Sequence, residues 1–221
     1  MHKLLPFRQY SEKDVINLAQ LDVSGATAIG NLKPGTSDAT LKDSFWSGSL
    51  VKVPATNTTL GDNDPSLTTN SYLGAIGSGD QGFAMQEGNQ YPAAPLKLTG
   101  AGSANHEVLG ITLKATLAFD ENDEKLLYYK RKLDELQAVL PGETVPVATR
   151  GIFTITTGGA AVAQVGIADA TITPGMVLGG HGSIVSVFQT IASAAHGLGR
   201  VLATGTNGGK SVALVTFDAG A

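Results

Sequence analysis

Cysteine is absent from this chain of 221 residues. That absence excludes disulfide scaffolds, catalysis by a thiol and zinc held by cysteine. Charged residues are also scarce, at 15% of the chain against ~25% in ordinary soluble domains. With 15 Lys and Arg residues and a formal net charge of -4, the chain lacks the basic balance that nucleic-acid-binding proteins normally have. We therefore expect no nucleic acid among its partners.

Long apolar runs are missing as well. No stretch approaches the about 18 uninterrupted apolar residues that a membrane-spanning helix needs, so we expect no membrane partner. Residues 1–8 contain two consecutive leucines and then a proline, which does not amount to the apolar run of a signal peptide. We expect from these absences a soluble protein that is made where it is used or assembled.

Glycine, by contrast, is abundant, and charge is unevenly distributed. Fourteen of the 28 glycines lie in residues 151–221, where only four residues are charged. Ten of the sixteen residues 120–135 are charged. A chain of this length fits one large β domain or two small domains. We predict an N-terminal arm with a short helix at 1–20, a β-rich region at 21–140 and a β-barrel domain at 141–221.

The N-terminal segment combines an apolar arm with a predicted helix. Four apolar or aromatic residues of the arm have almost nothing local to pack on: Leu4, Leu5, Phe7 and Tyr10. An arm of this kind docks on its own domain or, failing that, on a neighbouring molecule. Ser11 is placed to cap a short helix in which Val15, Leu18 and Leu21 share one face.

The middle of the chain combines β-prone pieces with a charged helix. Short pieces at 49–53 and 71–73 lie between strong turn formers. Residues 108–119 alternate between apolar and polar side chains, which predicts a half-buried strand. A charged amphipathic helix is predicted near 122–138, because Leu and Tyr recur there at helical spacing. Alternatively, a strand ends at the tyrosine pair and a shorter helix begins near Lys130.

The last third of the chain predicts a succession of short strands separated by glycine turns, at 145–149, 151–157, 161–165, 171–173, 200–204 and 211–217. Asn207 and Gly208, between the last two strands, are the strongest short-range hairpin signal. Strands at a spacing of about ten residues favour a small closed barrel or sandwich. The predicted fold class is therefore mainly β, with a glycine-rich C-terminal barrel, a β-rich N-terminal region and one or two short α-helices.

Phosphate-binding motifs occur without the context that they need. Residues 205–211 resemble a P-loop, but Thr204 stands where the first glycine belongs, and a β-prone run follows instead of a helix. A hairpin turn explains these residues better. Residues 77–82 spell GxGxxG with no strong strand before them and no helix after them. We therefore expect no nucleotide cofactor.

A calcium-like pattern also fails. Asp120, Asn122 and Glu124 are oxygen ligands at alternate positions, as in a calcium loop. The Gly and Glu that such a loop requires are replaced by Lys125 and Arg131. A solvated charged turn is therefore the favoured interpretation.

We recognise no other catalytic or ligand-binding motif in the sequence. None of the four histidines has metal-ligand spacing: His2, His106, His181 and His196. No nucleophile elbow is present. The single tryptophan, Trp46, stands beside Phe45 and is predicted to be a buried anchor and not a stacking platform. We therefore predict that the protein is not an enzyme and needs no cofactor or metal.

Four segments of the last third are similar to a known pattern: residues 149–155, 172–178, 198–203 and 209–215. They read as a strand entering a barrel, a Pro-Gly turn, a Gly-Arg-led strand and a Gly-led final strand. This order resembles the head decoration (cement) proteins of tailed phages, the family that includes the lambda head decoration protein. The resemblance covers 143–221 and implies a β-tulip-like barrel there.

The resemblance also implies a function. A decoration protein is a homotrimer on the outside of the capsid, at its local three-fold axes, and it clamps neighbouring capsomers after head expansion. The implied partners are the major capsid protein and other copies of the chain, and the implied location is the virion exterior after synthesis in the host cytoplasm. The arm residues are then the candidate capsid contacts, because an arm can add a strand to a sheet edge of a partner.

Two alternative functions stay open. One is another virion component, such as a tail protein, a fibre-base protein or a capsid subunit. The other is a carbohydrate-binding β module, with a cation in the turn formed by Asp62, Asn63 and Asp64.

Overall fold

The computed structural model describes residues 4–21, 32–34, 46–54, 96–102, 107–158, 166–182, 186–192 and 197–220. The structure is 48% strand and 10% helix, so the predicted mainly β fold class is confirmed. The described strands are β1 (Leu4–Gln9), β2 (Val15–Ile16), β3 (Ala19–Leu21), β4 (Leu50–Lys52), β5 (Leu96–Gly100), β6 (Val108–Thr112), β7 (Ala115–Thr116), β8 (Ala138–Val139), β9 (Val147–Ala148), β10 (Arg150–Thr156), β11 (Val177–Gly180), β12 (Phe188–Ile191), β13 (Gly199–Asn207) and β14 (Lys210–Asp218). The described α-helix is α1 (Lys130–Glu135), and 3-10 turns lie at Glu12–Asp14 and Leu126–Tyr128.

The first sheet contains six antiparallel strands in the order β1-β10-β14-β13-β11-β12. It curls into a half-barrel. Ile167 links the far strand back towards β10, since it forms a bridge with Phe188 on one side and with Thr157 on the other. The barrel-like curvature predicted for the last third of the chain is therefore present in this sheet.

The second sheet also has six strands, in the order β2-β9-β6-β4-β5-β3. Its pairs are antiparallel except for β3 and β5, which run parallel. A separate two-stranded sheet joins β7 and β8 in parallel. The second sheet therefore gathers its strands from the first two predicted regions and from the start of the third.

The two large sheets meet at one corner. β1 continues into β2, and their partners β10 and β9 are also consecutive, so the same pair of chain segments runs through both sheets. At the bend between them, the backbone N–H of Thr149 donates to the carbonyl of Asp14 at 2.8 Å. The hydroxyl of Thr149 donates to the same oxygen at 3.1 Å. These bonds satisfy backbone groups that the bend removes from the ladder.

The main core lies between the two sheets and combines residues of both. Phe217 is its centre, with ring centroids 6.4 Å from Phe153 and 5.9 Å from Phe188, both in edge-to-face contact. Edge-to-face packing is a preferred arrangement of aromatic rings. Leu50 and Ile111 of the second sheet complete this core and are fully buried.

Two further clusters bury the parts of the chain behind the second sheet. One covers the other face of that sheet and includes Leu21, Val51 and Leu98. The other surrounds α1 and contains Trp46, which is 2% exposed. Trp46 is therefore a buried anchor, as predicted. Its carbonyl accepts hydrogen bonds from the hydroxyls of Ser49 and Thr112 at 2.8 and 2.9 Å, which explains why these polar side chains are buried.

The prediction of a short helix after Ser11 is wrong. The chain forms one 3-10 turn at Glu12–Asp14 and then the strands β2 and β3, and Ser11 makes no side-chain capping bond. β2 pairs with β9, and β3 pairs with β5. These pairings are with distant parts of the chain, and they override the local helical spacing.

The charged helix is shorter than 122–138. It begins at Lys130, as the alternative interpretation proposed, and ends at Glu135. The strand of that alternative is absent, because a 3-10 turn at Leu126–Tyr128 precedes the helix. The predicted apolar face was Leu126, Tyr129, Leu133 and Leu136. Leu126 and Leu133 are buried and Leu136 is half-buried, while Tyr129 is 48% exposed, so this face is present in part.

The strand predicted at 108–119 is divided into β6 and β7 by a bend. It is not half-buried, because Thr112 and Thr116 are buried on the face predicted to be polar. In the last third, β9, β10, β13 and β14 match predicted strands, whereas residues 171–173 form none. The predicted pieces at 71–73 and 161–165 lie outside the described residues, and the predicted domain boundaries stay predictions.

Candidate interaction surface

The N-terminal arm lies on its own molecule in this structure. β1 pairs antiparallel with β10, with Leu4 opposite Ile155 and Gln9 opposite Ile152. Leu4 is 3% exposed and belongs to the main core. The first of the two predicted dockings, on the arm's own domain, is therefore the one observed in the isolated chain.

The other three arm residues differ in their exposure. Leu5 is half-buried, and Tyr10, at 39% exposure, stacks on Phe153 with a centroid distance of 6.0 Å. Phe7 is 81% exposed. Of the four predicted contact residues, Phe7 is thus the one whose side chain is almost entirely available to a neighbouring molecule.

Arg8 ties β1 to the parts of the chain below it. Its guanidinium donates from Nη1 to the carbonyl of Leu113 at 3.3 Å and from Nη2 to Oε1 of Gln137 at 3.4 Å. Both bonds are long, so each is weak. Together with the pairing to β10, they hold the strand in a fixed position with Phe7 facing solvent.

A cleft of about 510 Å³ lies at one end of the first sheet, next to the start of β10. Its lining includes Ile152, Thr216, Arg200 and Val177, which are neighbours in one row across β10, β14, β13 and β11. Leu198 and Phe217 also line the cleft and are nearly fully buried. The cleft therefore combines an apolar floor with a cationic rim.

The two arginines of the cleft differ in their partners. Arg150 donates from Nε and Nη2 to Oδ2 of Asp218 at 2.9 and 2.6 Å. This carboxylate raises the pKa of the Arg150 guanidinium above its usual value. Arg200 is exposed, and its guanidinium forms no ion pair with any residue that the structure describes. Arg200 is therefore the uncompensated cation of this surface.

The charged turn at Asp120 differs from the predicted solvated turn. Asp120 is fully buried, and its Oδ1 accepts the backbone N–H groups of Asn122 and Glu124, both at 2.8 Å. Its Oδ2 forms an ion pair with Nζ of Lys132. The hydrogen bond with Lys132 is the main reason that the pKa of Asp120 is lowered. The carboxylate thus organises the turn and is not free for a metal.

The remaining sequence motifs form no assembled site in the described chain. Residues 205–211 are the hairpin between β13 and β14, as the interpretation against a P-loop predicted. His181 is half-buried, and its backbone N–H donates to Val187. The other three histidines, residues 61–66 and residues 77–82 lie outside the described residues. Within the described ranges, no group of three or more His, Asp or Glu side chains is arranged to hold a metal ion.

The comparisons with known proteins add no assignment. No protein-family model, curated protein or solved structure matches the chain. Among the helices that the structure describes, none is long and apolar enough to cross a membrane.

The cleft and its arginines were not among the residues predicted to be functional. Ile152, Thr216 and Arg200 are neighbours because of the register in which β10, β14 and β13 pair. The sequence alone does not give this register. The one sequence signal was the Gly-Arg pair that begins β13, in a segment with few other charges.

Proposed function

We propose that this protein is a virion structural protein that binds the outside of a tailed-phage capsid and stabilises the head as a decoration protein. It acts as a homotrimer at the local three-fold axes, and its partners there are the major capsid protein and its own copies. Neither nucleic acid nor a membrane is part of the proposal, and the protein has no catalytic step to perform.

The observation that carries the proposal is Phe7, an aromatic side chain that is 81% exposed on an edge strand. Exposed aromatic residues on a fixed element are typical of surfaces that a partner covers. Phe7 lies between Leu4 and Arg8, which both pair with β10, and this limits the conformational entropy that is lost when a partner covers Phe7. On a capsid, Phe7 inserts into an apolar pocket of the shell.

The C-terminal half of the chain supports the same proposal. The four segments that resemble decoration proteins overlap β10, β11, β13 and β14, which are neighbours in the first sheet. The outer side of this sheet carries half-buried uncharged side chains such as Ile152, Leu214 and Thr216. The uncharged part of this face is covered at low desolvation cost when it meets a protein shell, while Arg150, Arg200 and Asp218 are charged residues at one end of it.

A binding assay with two alanine variants tests the proposal. Purified expanded heads are mixed with the wild-type protein, with Phe7→Ala and with Leu18→Ala, and the bound protein is measured after sedimentation of the heads. Leu18 is the matched control, because it is also a large apolar side chain and is 66% exposed. We expect Phe7→Ala to weaken binding by about fivefold or more, as loss of an aromatic anchor does, and Leu18→Ala to bind like the wild type.

The assay also has outcomes that reject the proposal. If the wild-type protein binds no heads, the protein is not a decoration protein. If Phe7→Ala and Leu18→Ala bind equally well, the arm is not the contact.

A further inference from the structure

The first half of β13 is hydrogen-bonded to neighbours on both sides, whereas its second half is hydrogen-bonded on one side, to β14, within the described chain. At its start, Val201 exchanges backbone hydrogen bonds with the segment before β11, since its N–H donates to Met176 and its carbonyl accepts from Gly175. Pro174 and Gly175 form a turn, with φ of 92° at Gly175, which carries the chain away. Beyond this point Leu202 lies at a register shift, and residues 203–207 pair only with β14 among the strands that the structure describes. We call 202–207 the open edge.

The open edge has the properties of a strand that accepts another strand. All of its residues are exposed, and it contains no charged residue and no proline. Its pairing with β14 is regular from Ala203 to Asn207, so the N–H and C=O groups of alternate residues point away from β14 into solvent. Such a row of unpaired backbone groups is a template for strand addition.

The other described edges are more strongly protected than the open edge, whose one irregularity is a register shift at its first residue, Leu202. β1 contains Pro6 and a register shift. β12 is covered by the segment around Ile167, and Asp169 accepts the N–H of Thr190. β3 is covered by Val145, whose N–H donates to Ala19, and β2 has only two residues. Proline, bulges, covering segments and short length are the usual protections of edge strands.

We propose that the open edge pairs antiparallel with the open edge of a second copy of this chain, about a two-fold axis. Identical strands fit here because the edge is uncharged, so no like charges meet in the pair. Thr204 and Thr206 are β-branched and suit cross-strand pairing. The nearest cations, Arg200 and Lys210, lie outside 202–207, so pairing buries no charge.

This contact does not rest on the proposed function. It is two-fold, so it is separate from a three-fold association. A contact of so few residues buries less than the ~1,200 Å² of stable interfaces. We therefore expect a reversible association that depends on protein concentration.

Two lysine variants at neighbouring positions test the proposal. Thr206 and Ser211 are cross-strand partners in the hairpin, and both are exposed. Thr206→Lys places a charge on the open edge, close to the same charge on the second copy. Ser211→Lys places the same charge on β14, whose other side is already occupied because the carbonyl of Ser211 accepts the N–H of Thr157 at 2.9 Å.

The measurements are sedimentation velocity over a micromolar-to-millimolar concentration series and amide hydrogen exchange of the full chain. We expect the mass of the wild type and of Ser211→Lys to rise with concentration, and the amides of 202–207 to exchange more slowly as it does. Thr206→Lys should raise the dissociation constant about tenfold or more. The proposal is overturned if the mass of the wild type does not change with protein concentration. It is also overturned if Thr206→Lys and Ser211→Lys have the same dissociation constant. Binding of both variants to heads is measured separately and bears only on the proposed function.

Discussion

Gly199 shows how a single residue determines the path of β13. A Cβ atom at this position would lie 1.8 Å from the carbonyl oxygen of Thr216, so the backbones of β13 and β14 approach closely only because there is no side chain. Gly205 lies on the same strand, and a Cβ atom there would have no heavy atom within 4 Å. The two glycines of β13 therefore differ in their tolerance of substitution.

We expect Gly199→Ala to lower the free energy of unfolding by about 1–3 kcal/mol, the usual cost of overpacking. Gly205→Ala should change it by less than about 0.5 kcal/mol or raise it slightly, because alanine restricts the unfolded chain. Urea denaturation followed by circular dichroism measures both. Equal destabilisation by the two variants would contradict the close approach of β13 and β14 at Gly199.

Asp120 gives the fold a dependence on acid pH. Its pKa in the folded protein is lowered from 3.8, chiefly by the hydrogen bond with Lys132. A carboxyl group with a lowered folded pKa stabilises the protein above its unfolded pKa, and this stabilisation is lost as pH falls through the folded pKa. Asn at this position keeps an acceptor for the two backbone N–H groups but carries no charge.

We therefore expect Asp120→Asn to lower the urea midpoint at neutral pH, and the difference from the wild type to shrink below about pH 4. Urea titrations at several pH values between neutral and acid measure it. Asp123→Asn is the control, because the ion pair of Asp123 with Lys33 is on the surface, where Asp123 is 65% exposed and such pairs contribute little. The same pH dependence in both variants would show that Asp120 has no special role.

The burial of Asp120 could not be predicted from the sequence. Asp120 is the first of ten charged residues in 120–135, and nothing in the sequence distinguishes a buried carboxylate in such a run from its solvated neighbours. The Lys132 partner becomes visible only when α1 is placed. The buried Trp46 was predictable, because a single large aromatic residue in a chain with few aromatics is most often part of a core.

β1 is the element whose role the structure specifies most clearly. Its two faces separate the core residue Leu4 from the exposed Phe7. We expect Leu4→Ala to lower the free energy of unfolding by about 2–5 kcal/mol, and Phe7→Ala to change it by less than about 0.5 kcal/mol. Chemical denaturation of the two variants measures this. Equal small effects would mean that β1 does not dock on its own sheet in solution.

The β13–β14 hairpin could be predicted from local sequence, whereas the strands after Ser11 could not. The β13–β14 hairpin follows from Asn207 and the two glycines after it, whose φ values of 55° and 77° are those of a tight hairpin turn. The segment after Ser11 has helical spacing, but β2 and β3 pair with strands more than seventy residues away. No local pattern contains that information.

At the scale of the whole molecule, the described chain contains two large sheets that share one corner and a main core, together with a two-stranded sheet and two smaller hydrophobic clusters. The main core contains Leu4, Ile111 and Phe217, which come from the three regions into which the sequence was divided. Composition identified the β class, because strand-forming runs and glycine turns recur. The order of strands in each sheet depends on pairings such as β1 with β10, which spacing along the chain does not reveal.

The low charge of the last third is best understood at this scale too. Apart from Arg150, Arg200 and Asp218 at one end, the outer side of the first sheet carries half-buried uncharged side chains, and the open edge of β13 exposes unpaired backbone groups. Surfaces of this kind are covered in an assembly. This link between composition and assembly is the central claim for the protein.

Electron cryo-microscopy of expanded phage heads, incubated with and without the protein, tests that claim most directly. We expect added density on the outer surface at the local three-fold positions, and a higher temperature of head disruption in the same preparation. Heads that carry no added density and disrupt at an unchanged temperature would contradict the claim.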